Sequence, residues 1–196
     1  MKRIASLLFL SAVMLLATPV VQASPIAFVA DLDGPSEAPP NASPGTGFAV
    51  VIIDDVTHLL SVHVTFSDLL GNTTASHIHC CTASPGTGTA GVATAVPTFL
   101  GFPLGVTSGV YDATFDTLMA STWNPAFIAA HGGTPEGAEA FLFAGIVNGT
   151  AYFNIHTSEF PGGEIRGFLR IPEPATLALV CCALLALGFF QRKRQR

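Results

Sequence analysis

Ala151-Tyr152-Phe153-Asn154-Ile155-His156 alternates with a period of two: Tyr152, Asn154 and His156 fall on one side of an extended chain, Phe153 and Ile155 on the other. Helical geometry would spread the same residues around an axis, so the segment reads as a strand with one apolar and one polar face. Working outward, seven more short runs are separated by Gly, Pro, Asn and Ser: Ile26–Leu32, Phe48–Ile53, Leu60–Phe66, Ala75–Cys80, Val92–Phe99, Val106–Phe115 and Glu164–Leu169. Runs of this length between turn residues predict a mainly β protein, an antiparallel β-sandwich or barrel of about eight strands. The alternation points Val62 and Phe153 into its core.

Between Asp116 and Gly149 the period changes. Asn124-Pro125 and Thr134-Pro135 each join an N-cap residue to a proline suited to the first helical position, and Phe141, Leu142 and Ile146 recur at helical spacing. One or two short helices are therefore expected between residues 116 and 149. The loops Gly34–Gly47 and Thr82–Gly91 carry Pro, Gly, Thr and small polar residues, cannot supply a core, and read as surface connections. Ser158–Gly163 reads as the hairpin turn between the last two strands.

The chain has 196 residues, 49% hydrophobic and only 11% charged, which excludes a disordered chain and leaves room for one domain. From Ser24 to Ile171 there are twelve acidic residues, no lysine, and only Arg166 and Arg170 as bases. Such a field repels nucleic acid, whose binding depends on basic side chains releasing counterions from phosphates.

The remaining basic residues sit at the two ends. Lys2 and Arg3, an apolar run from Ile4 to Ala17, and Val21-Gln22-Ala23 make residues 1–23 a secretory signal peptide, cut by signal peptidase between Ala23 and Ser24. Residues 24–171 are then the exported domain. Residues 172–196 form a tail: Pro172-Glu173-Pro174, an apolar run from Ala175 to Phe190, and the basic end Gln191–Arg196. The apolar run would make a helix of about 24 Å, short for a hydrocarbon core of about 30 Å, so it suits a transient membrane association. Basic residues at both extremes favour the cytoplasmic side and put the domain outside.

In the order of its three parts the tail resembles the PEP-CTERM sorting signal of Gram-negative bacteria, which the membrane enzyme exosortase recognises and processes. The resemblance implies a precursor in the inner membrane and a destination at the cell surface or in an extracellular matrix. An exopolysaccharide or a surface protein is the partner it suggests there.

Cys181 and Cys182 lie in the apolar tail and read as small hydrophobes. Cys80 and Cys81 are adjacent and can close only a small strained ring, so no disulfide framework is expected and stability must come from the core.

Three further stretches belong together: LDGPSEAPPNASPGTG at 32–47, TASHIHCC at 74–81 and GTAYFNIHTSEFPGGEIRGFL at 149–169. Their combination resembles the CHRD domain over nearly all of Leu32–Leu169, most specifically in His77-Ile78-His79, Tyr152–Thr157 and Gly163-Glu164-Ile165-Arg166-Gly167. The resemblance implies a β-rich extracellular module. Cys81 stands where that family often has glycine.

Alternation places His77 and His79 on one face with Ile78 opposite. If their strand shares a sheet with Ala151–His156 and Glu164–Leu169, the polar face gathers His77, His79, His156, Glu164 and Arg166. One reading, the commoner for such a set, is a structural polar network of Asn154, Glu164 and Arg166, with Glu164 paired to Arg166 and the imidazoles satisfying loop carbonyls. The other is a zinc or copper site on His77, His79 and His156, with Glu164 as a fourth ligand or as an acceptor that orients an imidazole. Arg166 weighs against a dication and competes for Glu164. His58, His63 and His131 read as surface or turn residues. With no nucleophile elbow, Walker loop or His-Glu-x-x-His helix in the chain, the leading functional reading is a non-enzymatic module at the surface or in the matrix. Its alternatives are a metal-dependent oxidoreductase-like domain and a carbohydrate- or protein-binding module using the two long loops.

Overall fold

A computed structural model of the chain describes residues 25–173; the cleavage site Ala23-Ser24 and the tail from Pro174 onward lie outside them. One antiparallel sheet of seven strands, curled into a half-barrel, organises the domain. Its strands are β1 (Ile26–Asp33), β2 (Thr46–Asp54), β3 (Leu59–Ser67), β4 (Thr73–His79), β5 (Gly109–Asp116), β6 (Tyr152–Thr157) and β7 (Ile165–Phe168), in the order β4-β6-β7-β1-β2-β3-β5. No helix among the described residues is long and apolar enough to cross a membrane.

These are seven of the eight expected strands. The eighth, Val92–Phe99, runs along the outer edge of β4 but makes only isolated bridges, His79 with Val92 and Thr94 with Trp123. Threonine hydroxyls replace ladder carbonyls there: the Ile78 amide donates to Thr94 Oγ1 and the Ser76 amide to Thr98 Oγ1. Pro97 has no N–H to contribute. The segment is a cover for an edge rather than a strand, and it shields β4 from pairing with another chain.

One face of the sheet carries the core. Val62 and Phe153 are at most 1% exposed, as their alternation requires, and Phe153 stacks on Phe99 at 5.9 Å. Two helices close over this core, α1 (Pro125–Ala130) and α2 (Pro135–Val147), after a 3₁₀ turn at Ala120–Thr122. Both start as the sequence specifies: Asn124 accepts from the Ala126 amide and Thr134 from the Gly137 amide, each followed by proline at N1. Leu142 and Ile146 are buried, whereas Phe141 is 43% exposed and lies against the ring of His131.

Cys80 and Cys81 are joined by a disulfide. It closes the smallest of loops and ties no distant segments together, so it removes little chain entropy and leaves the core as the source of stability. It packs on α2 at Gly145, where a Cβ would fall on both sulfurs. That contact accounts for a glycine in the middle of a helix, a position where glycine otherwise costs about 1 kcal/mol.

Candidate metal centre

The ladder between β4 and β6 pairs His77 with Asn154 and His79 with Tyr152, and sets Ala75 against His156. Cross-strand partners project to the same face, so His77, His79 and His156 meet on the side of the sheet away from the core. Ring centroids are 5.7 Å apart for His77 and His79, 5.2 Å for His77 and His156, and 5.7 Å for His79 and His156. One nitrogen of each ring lies within 4.8 Å of those of the other two.

Each imidazole has one nitrogen against a backbone carbonyl: His77 Nε2 on Pro97 at 2.7 Å, His79 Nδ1 on Ala90 at 3.0 Å, and His156 Nδ1 on Pro161 at 2.9 Å. A carbonyl only accepts, so the proton sits on that nitrogen and the tautomer of every ring is fixed. The second nitrogens, His77 Nδ1, His79 Nε2 and His156 Nε2, are buried and have no hydrogen-bond partner among the described residues. Burial holds all three rings below the usual histidine range, His77 and His79 at about 4. They are therefore neutral at pH 7, the form in which imidazole ligates a metal.

Glu164 does not join them. It lies just outside the β6–β7 ladder, which starts at Ile155 and Ile165, and its carboxylate accepts from Ser43 Oγ, Thr157 Oγ1 and the amides of Leu70 and Gly71. Burial opposes its charge, but those four donors hold the carboxyl below its ordinary range. The expected ion pair between Glu164 and Arg166 is likewise replaced. Arg166 faces Glu37 at 3.7 Å, donates to the carbonyls of Ser36 and Gly88, and lies over the Tyr152 ring at 4.8 Å. It thus ties both long loops, Gly34–Gly47 and Thr82–Gly91, across the imidazole face. Asn154 sits between β4 and β7 opposite Arg166, with Oδ1 buried and unpaired.

Sequence reasoning missed Glu37, whose carboxyl burial pushes up to about 7 against the opposing pull of Arg166. Its one signal was being the only acid in a proline-rich loop. Gly163 completes the arrangement: its φ is +130°, and a Cβ there would meet Glu37 Oε1 at 2.5 Å and the Asn154 amide at 2.7 Å. Of the other histidines, His58 contacts Glu139 at 3.0 Å and His63 contacts Asp112 at 3.1 Å, both apart from the cluster.

A metal fits these residues. An ion at the centre of three nitrogens that all lie within 4.8 Å of one another would stand no more than about 2.8 Å from each, and ligation at about 2.0–2.1 Å asks each ring to move inward by less than about 1 Å. The carbonyl partners supply the outer contacts that orient ligating histidines.

Fold and site define a class: a β-domain of one curled antiparallel sheet with a buried imidazole cluster under two loops. The chain belongs to the CHRD domain family, whose family model matches residues 28–169. No curated protein and no solved structure matches it. A domain of this kind fits a non-enzymatic binding or structural module.

Proposed function

We propose that this CHRD domain is an exported, non-enzymatic module that holds one transition-metal ion, zinc or copper, on His77, His79 and His156. One observation carries the reading: three neutral imidazoles, each with one nitrogen committed to a carbonyl and the other buried without a partner, bring ligand nitrogens within 4.8 Å of one another. Left without a cation, each buried acceptor forfeits a hydrogen bond, at a cost of about 1–3 kcal/mol. A single metal ion satisfies all three at once. Titrating zinc or copper into the metal-free, full-length protein is expected to give one bound equivalent. The His77→Ala/His79→Ala double variant should bind more than about 100-fold more weakly. Equal weak binding by both proteins would leave a polar network and no metal site.

Export rests on the sequence at the two ends. Residues 1–23 have the parts of a signal peptide, and Pro172-Glu173-Pro174 with its apolar run and basic end has the parts of an exosortase substrate. Signal peptidase and exosortase then act on the precursor, and the mature domain stays at the cell surface or in the matrix, alongside exopolysaccharide or surface proteins. Intact-mass measurement of the native protein is expected to show Ser24 as the first residue and no Arg192–Arg196. Replacing Pro172 and Pro174 by alanine should leave export intact and block release from the inner membrane. A surface form that keeps the arginine-rich end would overturn the sorting reading.

A further inference from the structure

We infer that the ion this centre selects is monovalent copper, bound by the three imidazoles alone, in preference to zinc. The inference rests on the metal-binding reading above and adds to it the charge and coordination number of the ion. Imidazole suits zinc and copper alike, so the donor atoms do not decide between them. What decides is the surroundings.

Zinc in proteins is almost always four-coordinate, and a closed site balances its double charge with thiolates or carboxylates. Among the described residues the ligating group consists of three neutral imidazoles and nothing else. The acid best placed by sequence, Glu164, spends its carboxylate on Ser43, Thr157 and the amides of Leu70 and Gly71. The acid on the covering loop, Glu37, faces Arg166, and burial raises its pKa to about 7, so it carries only part of a negative charge at neutral pH.

The fixed charge beside the site is positive. The Arg166 guanidinium lies 4.8 Å from the centre of the Tyr152 ring, and that ring stacks on His79 at 4.8 Å and nearly parallel. A dication placed among the histidines would be buried next to it, with only the part-charged Glu37 carboxyl, already facing Arg166, to offset the two charges. A cuprous ion brings half the charge and can be satisfied by three nitrogens. Geometry agrees: at a bond of about 2.0 Å a planar three-coordinate ion spaces its donors by about 3.5 Å, whereas a tetrahedral one needs about 3.3 Å. The planar centre therefore asks for the smaller inward movement from the observed spacing.

The test is a pair of competition titrations on the metal-free, full-length protein, one with copper(I) under anaerobic conditions against a chromophoric copper(I) chelator, one with zinc against a zinc chelator. X-ray absorption then gives the coordination number of the copper form. The expected result is tighter binding of copper(I) and a centre of three nitrogens without a fourth ligand. Arg166→Met should raise zinc affinity over copper(I) affinity by roughly tenfold, the effect of one elementary charge at about 10 Å in a medium of effective dielectric about 20. Glu37→Gln, measured at pH 8 where the carboxyl is ionised, should shift the ratio the other way and serves if Arg166→Met does not fold. Tighter binding of zinc, a four-coordinate copper centre, or an unchanged ratio in the charge variants would overturn the inference and leave the metal-binding reading standing. Failure of both ions to bind, or binding unaffected by His77→Ala/His79→Ala, would overturn the metal-binding reading itself.

Discussion

Phe153→Ala is expected to destabilise the domain by about 3–5 kcal/mol, the range typical of truncating a large buried aromatic. The ring is fully buried, pairs across the ladder with Ile78 and stacks on Phe99. On its other side, in β7, stands Gly167, which has no side chain to move into the space. Its neighbours Ile78 and Phe99 are themselves buried, so little of the cavity can be refilled. Against a typical domain stability of 5–15 kcal/mol, a loss of this size removes a large fraction of the total. The measurement is the urea midpoint at unchanged slope, with Phe141→Ala as the control. Phe141 is 43% exposed, and its truncation should cost under about 1 kcal/mol. Alternation couples this result to the site: a loss below about 1 kcal/mol for Phe153→Ala would put Phe153 on the open face and turn His156 away from His77 and His79.

The strands were legible because their side chains have to obey a two-residue period wherever one face is buried. Phe153 and Val62 inside, and His77, His79 and His156 together outside, all follow from that period once β4 and β6 are neighbours. The neighbour relation itself is a long-range pairing between residues 73–79 and 152–157, and no local pattern encodes it. Both helix starts were legible for a local reason, since Asn124 and Thr134 cap their own helices. Val92–Phe99 misled because its β-branched composition suits an extended chain, whereas a strand needs a continuous ladder, and here the backbone bonds of Ala93 and Phe99 to Ile78 and Ser76 are interrupted by hydroxyl acceptors on Thr94 and Thr98. Phe141, Leu142 and Ile146 were legible as part of a helix, α2, though their spacing does not say which of them faces the core.

Glu164 failed for a different reason. Its expected side followed from counting along β7, but the ladder begins one residue later, and outside the ladder the alternation no longer holds. Its carboxylate is then free to turn toward the amides of Leu70 and Gly71. Nor could the loop contacts be foreseen. Pro97, Ala90 and Pro161 act on the histidines through their carbonyls, which every residue possesses, so their side chains leave no trace of that role in the sequence. Arg166 was legible as a charged residue near the site, but its partners Ser36, Glu37 and Gly88 come from loops whose composition marks them only as turns.

The metal-free protein is expected to lose stability as pH falls from about 6.5 to about 4, by roughly 4 kcal/mol net. Burial depresses His77 and His79 to about 4 in the folded state, against about 6.5 for an unfolded histidine. The neutral rings therefore contribute fully above pH 6.5, and that contribution drains away on acidification, because the unfolded chain binds protons that the folded one refuses. At about 1.4 kcal/mol per pKa unit, each ring accounts for roughly 3 kcal/mol over this window, and His156 shifts in the same direction. Glu37 works the other way. Its folded pKa is raised to about 7, so its contribution is full below about 4.5 and is lost as pH rises through 7, which offsets part of the histidine loss. The two opposing slopes balance at about pH 7, where stability is greatest. Thermal or urea unfolding of metal-free protein across pH 4 to 8 measures the profile: Glu37→Gln should steepen the acid limb, and a His77→Gln/His79→Gln variant should flatten it. With a metal in place, protons must displace the ion before they reach the rings, so the acid limb should move to lower pH. A metal-free profile flat from pH 6.5 to 4 would mean that the three rings are solvated, and their lone pairs would then have water for partners and no need of an ion.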